Sequence, residues 1–401
     1  MTATAPATAP ATASPRTARP GRRRVAVAGV ALSDCGRVDG ATPYALHAQA
    51  ARRALADSGL DRSLVDGLAS AGLGALAPVE VAEYLGLRPT WMDSTTVGGA
   101  TWEVMAAHAA DAIAAGRAKA VLLVYGSTAR ADVKARRRTS NLSFGTRGPL
   151  QFEAPYGHTL VAKYAMAARR HMHEYGTTLE QLAEVAVRAR ANAALNPEAM
   201  FRTPITVDEV LDGPMIADPF TKLHCCVRSD GGCAVLLVAE EYARDLAKPP
   251  VWILGGGEHA SHTTMSEWED FTVSPAAVSG RLAFERAGVT PADIDVAEIY
   301  DAFTYMTLVT LEDLGFCPKG EGGAYVADEA AVPFNTDGGG LSACHPGMRG
   351  LFLLVEAVRQ LRGEAPGLQV RRADGSLPEL ALASATGGWF CSAATLVLGR
   401  A

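Results

Sequence analysis

The sequence holds little cysteine: seven residues in 401, with no Cys-x-x-Cys pair. That gives neither a disulfide framework nor a zinc-ribbon pattern, and it fits reduced thiols in a cytoplasm. Long apolar runs are missing too, so no membrane span is expected. A basic excess is also missing. Lys and Arg number 37 against 43 Asp and Glu, for a formal net charge of −6, and the basic residues are spread out. Nucleic acid is therefore not expected as the main partner. What is present is an ordinary globular composition, 48% hydrophobic, with enough chain for one large or two average domains.

Residues Met1 to Arg24 are Ala, Thr and Pro repeats that end in three arginines. They lack the apolar centre of a secretory signal. Repeated proline with almost no large apolar side chain predicts a disordered tail.

Beyond the tail the pattern alternates. Arg24 to Leu32 reads as a buried strand, and Pro43 to Ser58 as a helix with Thr42 as N-cap and Gly59 as stop. Val65 to Ser70 is a second strand, and Val79 to Leu85 a short helix. Gly98-Gly99 precedes a helix from about Trp102 to Ala115, and Ala120 to Tyr125 is an apolar strand. Residues 127–218 break the rhythm and read as an insertion over one sheet face, with helices at Thr159–Tyr175 and Thr178–Ala193. Leu223 to Val238 reads as a hairpin turning at Asp230-Gly231.

After Lys248-Pro249-Pro250 the pattern repeats. Val251 to Leu254 is a new first strand. The helix around Ser279 to Gly288 matches the one ended by Gly59, and Asp293 to Tyr300 matches Val65 to Ser70. Leu380 to Ser384 matches Ala120 to Tyr125, and the Gly387-Gly388 hairpin closes the chain. Two related halves, residues 25–250 and 251–401, are expected, each an α/β unit.

Asn335 to Gly350 stands at the centre: three glycines, Cys344-His345, Pro346-Gly347, then an apolar helical pattern. It is either a structural turn with a surface histidine or a site. A histidine ahead of a helix start can help hold a developing negative charge.

Together these features resemble the thiolase superfamily over nearly everything after residue 24. The resemblance rests on the duplicated half, the loop of Gly338 to Gly340 and His345-Pro346 before the last helix, and the closing Gly-Gly hairpin. The nearer likeness is to sterol-carrier-protein thiolases and lipid-transfer-protein-like members, through Lys222 to Cys226, Ser229-Asp230-Gly231 and Tyr300-Asp301-Ala302-Phe303. It implies a layered αβαβα fold. One departure matters most. Thr95 to Glu103, where a thiolase carries its nucleophilic cysteine, has none, which removes the usual acyl-enzyme route. Tyr300 stands where the family motif has Asn or His. That combination is similar to the thiolase-fold aldolases of bacterial steroid side-chain degradation.

This likeness implies retro-aldol cleavage of a β-hydroxyacyl-CoA, a steroid side-chain thioester giving a ring ketone and propionyl-CoA. It implies a partner with an OB-fold and a zinc ribbon, fused to or associated with a hydratase, and a homodimer within a heterotetramer. Any zinc would sit in that partner. No covalently bound cofactor is expected in this chain, and coenzyme A enters as part of the substrate.

The reaction needs a base for the β-hydroxyl, an oxyanion site for the thioester enolate and an acid for carbon. Tyr300 is the candidate base or proton shuttle, and His345 would lower its pKa or bind the thioester oxygen. Gly339 and Gly340 would offer backbone N–H groups. Asp301 either orients Tyr300 or is structural. Cys344 is either a thiolate or a buried inert thiol. Arg136 and Arg137 either bind CoA phosphates or lie in a solvated loop. No metal site is expected, since His224-Cys225-Cys226 has poor spacing for tetrahedral ligation. Two other readings stay open: an acyltransferase using a displaced cysteine, Cys344 or Cys391, and a non-catalytic acyl-CoA or lipid carrier.

Overall fold

The computed structural model describes residues 23–135, 148–157 and 159–401. Most of the expected tail, and Arg136 and Arg137, lie outside the described residues. In chain order the first elements are β1 (Val25–Leu32), α1 (Pro43–Ser58), β2 (Gly67–Ala69), α2 (Ala77–Leu85), β3 (Trp91–Asp93), α3 (Thr101–Ala114) and β4 (Ala120–Ser127). Then come α4 (Ala129–Lys134), α5 (Leu160–Tyr175), α6 (Leu179–Leu195), α7 (Val207–Leu211), β5 (Met215–Ala217), β6 (Phe220–Thr221) and β7 (Gly231–Ala239). The remainder is β8 (Val251–Ala260), α8 (Ala276–Ala287), β9 (Val296–Ile299), α9 (Thr304–Asp313), α10 (Gly322–Ala327), α11 (Gly350–Arg362), β10 (Leu380–Gly387) and β11 (Ser392–Gly399).

Local chemistry sets the helix ends. Thr42 accepts the Ala45 N–H, Pro43 occupies the first turn, and Gly59 closes α1 in the left-handed region at φ 73°, which glycine enters without a Cβ clash. Thr178 and Gln181 form a reciprocal capping box on α6, satisfying two end groups at once. No side chain caps α3. It grows out of a tight turn at Gly98–Ala100.

Among the described residues one nine-stranded sheet runs in the order β3-β2-β4-β7-β1-β8-β11-β10-β9. Outward from the β1–β8 contact, β1-β7-β4-β2 and β8-β11-β10-β9 follow the same plan. Both halves hold an equivalent parallel pair, β2 with β4 and β9 with β10, and an antiparallel return strand, and β3 extends the first half by pairing in parallel with β2.

Alternation along the strands makes the layers. Ala120, Leu122 and Val124 of β4 pack with Ala50, Ala51 and Ala54 of α1 on one face. Val121, Leu123 and Tyr125 point the other way, into a cluster with Trp102 and Met105 of α3 and Leu351 and Leu354 of α11. Successive strand residues face opposite sides, so α1 and α8 cover the outer faces while α3 and α11 lie between the halves, touching each other and strands of both. This is the thiolase-like layered α/β fold. No described helix is long and apolar enough to cross a membrane.

One expectation is corrected. Leu223 to Val238 is not a hairpin. Lys222–His224 is a 3-10 turn, Cys225 bridges only Phe303, and β7 pairs with β1 and β4 instead. Asp230 is spent on tertiary bonds: its carboxylate accepts the Ala131 and Val38 N–H groups, and its backbone bridges Gly36. In the central loop Gly339–Ala343 forms a π-type turn, and α11 starts at Gly350, where the apolar helical pattern begins, after the bend at Pro346-Gly347. Helices α9 and α10 had no counterpart in the sequence pattern, because buried threonines in α9 mask its apolar face.

Candidate active site

A cavity of about 870 Å³ opens between the halves, lined by residues of both, among them Gly98, Gly99, Tyr125, Tyr164, Tyr300 and His345. A larger one, about 1150 Å³ and bordered by Arg169, His173, Asp218 and Trp268, contains none of the residues singled out from sequence.

Tyr300 leaves the end of β9, its N–H bound to Ser384 O at 3.0 Å. Its hydroxyl lies 3.0 Å from His345 Nε2, and the rings meet edge to face at 5.5 Å. Gly99 makes this possible. A Cβ there would stand 2.5 Å from two Tyr300 ring atoms and 2.4 Å from Thr386 O. The tyrosine ring thus fills the space beside the first-half turn.

Both partners are held neutral. Burial pushes the Tyr300 phenol well up, opposed by the Arg349 backbone N–H. Burial pushes His345 down to about 4, and the nearby Arg349 guanidinium adds to this. A charged form loses its hydration in such a place. Of the two ways in which His345 could assist Tyr300, by charge or by a hydrogen bond, the neutral imidazole at 3.0 Å is placed for the hydrogen bond. Ser229 fixes it from behind, its Oγ accepting the His345 N–H at 2.9 Å. Tyr125 holds the following turn by donating to Pro346 O at 2.7 Å.

The other sequence-derived residues lie behind this pair. Asp301 is fully buried and accepts the Gly340 N–H at 2.6 Å and the Leu341 N–H at 3.2 Å, with Arg349 Nε at 3.6 Å. Burial drives its carboxyl up to about 7, and Arg349 and the two amides act against this. It anchors the glycine turn and does not touch Tyr300's hydroxyl. Gly339 and Gly340 are corrected as oxyanion donors. Their N–H groups go to Asp337 and Asp301, and a Cβ on Gly339 would fall 1.9 Å from the Asp301 carboxylate. The glycines make room for a carboxylate of the chain itself. Cys344, open between a thiolate and a buried thiol, is buried away from the cavity lining, and its sulfur lies 3.1 Å from Ser229 Oγ. His224 bonds Thr304 Oγ1 at 3.0 Å, and among the described residues no group of three metal-binding side chains converges.

Sequence reasoning missed the contribution of the insertion. Tyr164 of α5 donates to Gly388 O and accepts the Phe390 N–H, both at 3.0 Å, ordering the closing turn. Arg190 of α6 bonds Ser342 Oγ at 2.8 Å, and Asn196 bonds Asp337 O at 2.9 Å. His262 also lines the cavity and stacks on Trp268 at 5.0 Å. Helical spacing placed these side chains on faces but could not say which loop each would meet.

Residues 257–400 match the family model described as Thiolase C-terminal domain-like. A 17-hydroxy-3-oxo-4-pregnene-20-carboxyl-CoA lyase of Mycobacterium tuberculosis is 34% identical over 85% of this chain and 92% of its own. The chain belongs to the thiolase superfamily. Within this superfamily, a steroid side-chain-cleaving aldolase of Thermomonospora curvata is 33% identical over 84% of this chain and 90% of its own. An acetyl-CoA acetyltransferase of Methanothermobacter thermautotrophicus reaches 40% identity, over 58% of this chain and 62% of its own. Among solved structures, the Ltp2-ChsH2(DUF35) aldolase superposes with a TM-score of 0.82 at 31% identity, covering 95% of this chain and 98% of that one.

Proposed function

We propose that this thiolase-superfamily chain is a carbon–carbon lyase. It cleaves a β-hydroxyacyl-CoA by a retro-aldol reaction, on a steroid side-chain thioester, giving a ring ketone and propionyl-CoA. The observation that carries the reading is the neutral Tyr300–His345 pair at 3.0 Å in the inter-half cavity. It faces a first-half turn without cysteine, and two relatives similar over most of the chain are a lyase and an aldolase.

The pair suits proton relay. Neither group ionises readily alone, because burial opposes both tyrosinate and imidazolium. With the Nδ1–H tautomer, His345 Nε2 accepts from the phenol. The substrate hydroxyl gives its proton to Tyr300 oxygen as the phenol proton moves to His345. The bond between the α and β carbons then breaks, leaving a ketone and the thioester enolate. The returning proton goes to the enolate α-carbon, restoring both groups. No covalent intermediate with the protein is needed, which fits the absent cysteine.

The partner of this chain would be a DUF35-type protein with an OB-fold and a zinc ribbon, the zinc residing there, on two copies of this chain. Support comes from the similar aldolase, an Ltp2-ChsH2(DUF35) pairing. With its zinc held by the partner, the relay of Tyr300 and His345 runs on this chain's own side chains.

One observation favours a second reading. Cys391 lines the cavity, as a displaced acyltransferase nucleophile would. Burial pushes its thiol up to about 11, however, which leaves little thiolate. The deciding experiment incubates the chain and its partner with a 17-hydroxy steroid side-chain CoA thioester and measures ketone and propionyl-CoA by mass spectrometry. Tyr300→Phe should cut turnover about 10²- to 10⁴-fold, the usual worth of a positioned proton-transfer group, with native folding. Unchanged turnover in Tyr300→Phe would remove the relay. Activity that disappears only on alkylating Cys391 would favour the acyltransferase.

A further inference from the structure

Two thiols meet directly behind the candidate site. Cys35 lies in the turn after β1, and Cys344 immediately precedes His345. Between them Gly231 opens β7. The point where a Gly231 side chain would project is 2.8 Å from Cys35 Sγ and 3.3 Å from Cys344 Sγ. The sulfurs share one glycine-made space, and the Cys35 thiol itself points to Ser33 O at 3.3 Å. Both are free thiols; Cys35 is half-buried, whereas Cys344 is covered.

The surroundings favour reaction at Cys344. Its sulfur has the Cys35 thiol on one side and Ser229 Oγ at 3.1 Å on another, and the Arg349 guanidinium lies close enough to favour a thiolate. Donors and positive charge are what a thiolate requires. The cluster is also wired to the site. Ser229, which contacts the Cys344 sulfur, accepts the His345 N–H at 2.9 Å, and His345 meets Tyr300 at 3.0 Å.

We propose that Cys35 and Cys344 form a redox pair, oxidised by peroxide to a disulfide that displaces His345 and switches the site off. In the first step the Cys344 thiolate attacks a peroxide oxygen. The O–O bond breaks, water leaves after protonation, and the cysteine becomes a sulfenic acid. The Cys35 thiol then attacks that sulfur, the S–S bond forms, and a second water leaves. Two thiols are oxidised and one hydrogen peroxide is reduced to two waters, the order expected of a reactive cysteine with a resolving neighbour. The bridge removes the Cys344–Ser229 contact and pulls on the residue next to His345. A small dithiol reverses it by exchange.

The loss of turnover rests on the retro-aldol reading, whereas the disulfide and the loop movement do not. The test treats the full chain, in complex with its partner protein, with hydrogen peroxide. Remaining thiols are blocked with N-ethylmaleimide and the peptides mapped by mass spectrometry. Hydrogen–deuterium exchange over residues 340–350 and lyase turnover are measured in parallel. Expected are a Cys35–Cys344 cross-linked peptide, faster exchange in that segment and a loss of about 10²-fold in turnover, the scale of an ångström-sized misplacement. All three should reverse with dithiothreitol. Cys35→Ser and Cys35→Ala should keep basal turnover and lose the reversible response. Absence of the cross-link overturns the proposal, as does a cross-link that leaves both exchange and turnover unchanged. If no lyase activity is found in any form, exchange still decides the switch while the functional reading fails separately.

Discussion

Replacing Gly99 with alanine tests the geometry of the site more directly than removing any catalytic group. The new methyl would stand 2.5 Å from two Tyr300 ring atoms and 2.4 Å from Thr386 O. Ordinary carbon contacts begin near 3.5 Å, so the ring or the turn must retreat by about 1 Å. The Thr386 oxygen is backbone of β10 and yields little, so the Gly98–Ala100 turn is pushed off that strand and the Tyr300 ring is displaced with it. A 1 Å retreat takes the 3.0 Å bond to His345 to roughly 4 Å, outside hydrogen-bonding range. Turnover should then fall about 10²-fold, while overpacking costs about 1–3 kcal/mol of stability. Ketone release by the complex gives the first quantity and denaturant unfolding the second. A Gly99→Ala protein with full turnover and unchanged unfolding would show that the ring is not pinned against this turn.

Three other outcomes are expected. Thr336 Oγ1 lies 2.7 Å from both Glu298 and Glu356, and a single hydroxyl proton cannot serve both, so one carboxyl keeps its own. Burial, with Asp337 nearby, raises Glu356 from 4.5 to about 7. A raised acid stabilises the fold below its unfolded pKa and loses that contribution as pH rises through the folded value. Glu356→Gln should therefore gain stability relative to wild type between pH 5 and 8, by an amount on the order of 2 kcal/mol in denaturant melts; a gain that shrinks over this range would contradict the assignment. His345, lowered from 6.5 to about 4, should be neutral above pH 5. Its preference for the neutral form supports folding above 6.5 and is lost as pH falls through 4, so a pH–rate profile with a limb near 6.5 that vanishes in His345→Gln would be the opposing result. Arg349 is fully buried and donates from one nitrogen to both Asp337 oxygens at 2.6 Å. Arg349→Met strands the Asp337 charge and should cost about 3–5 kcal/mol; unfolding within about 1 kcal/mol of wild type would show that the carboxylate does not depend on this partner.

Strand and helix order was largely legible in the sequence. Apolar runs such as Ala120 to Tyr125 and capped periodic segments such as Pro43 to Ser58 carry their own local signal. Helix α9 was not legible, since its threonines are buried by neighbours and its pattern looks polar from within. Asp230-Gly231 misled for a related reason: local turn chemistry is overruled when the carboxylate finds the Ala131 and Val38 amides.

The sequence by itself determined the repeated plan, the absence of cysteine from Thr95 to Glu103, and the presence of Tyr300 and His345. It could not decide what the glycines serve. Residues 39 and 40 apart in the chain, Asp301 with Gly340 and Leu341, come together only on folding, and that contact takes the N–H groups a ligand would have used. Tyr300 reaches His345 because Gly99, some two hundred residues earlier, leaves the space empty. Charge state followed the same rule. Composition shows which groups can titrate, but only burial between the halves makes this tyrosine and histidine a neutral pair, because desolvation depends on what the rest of the chain places around them.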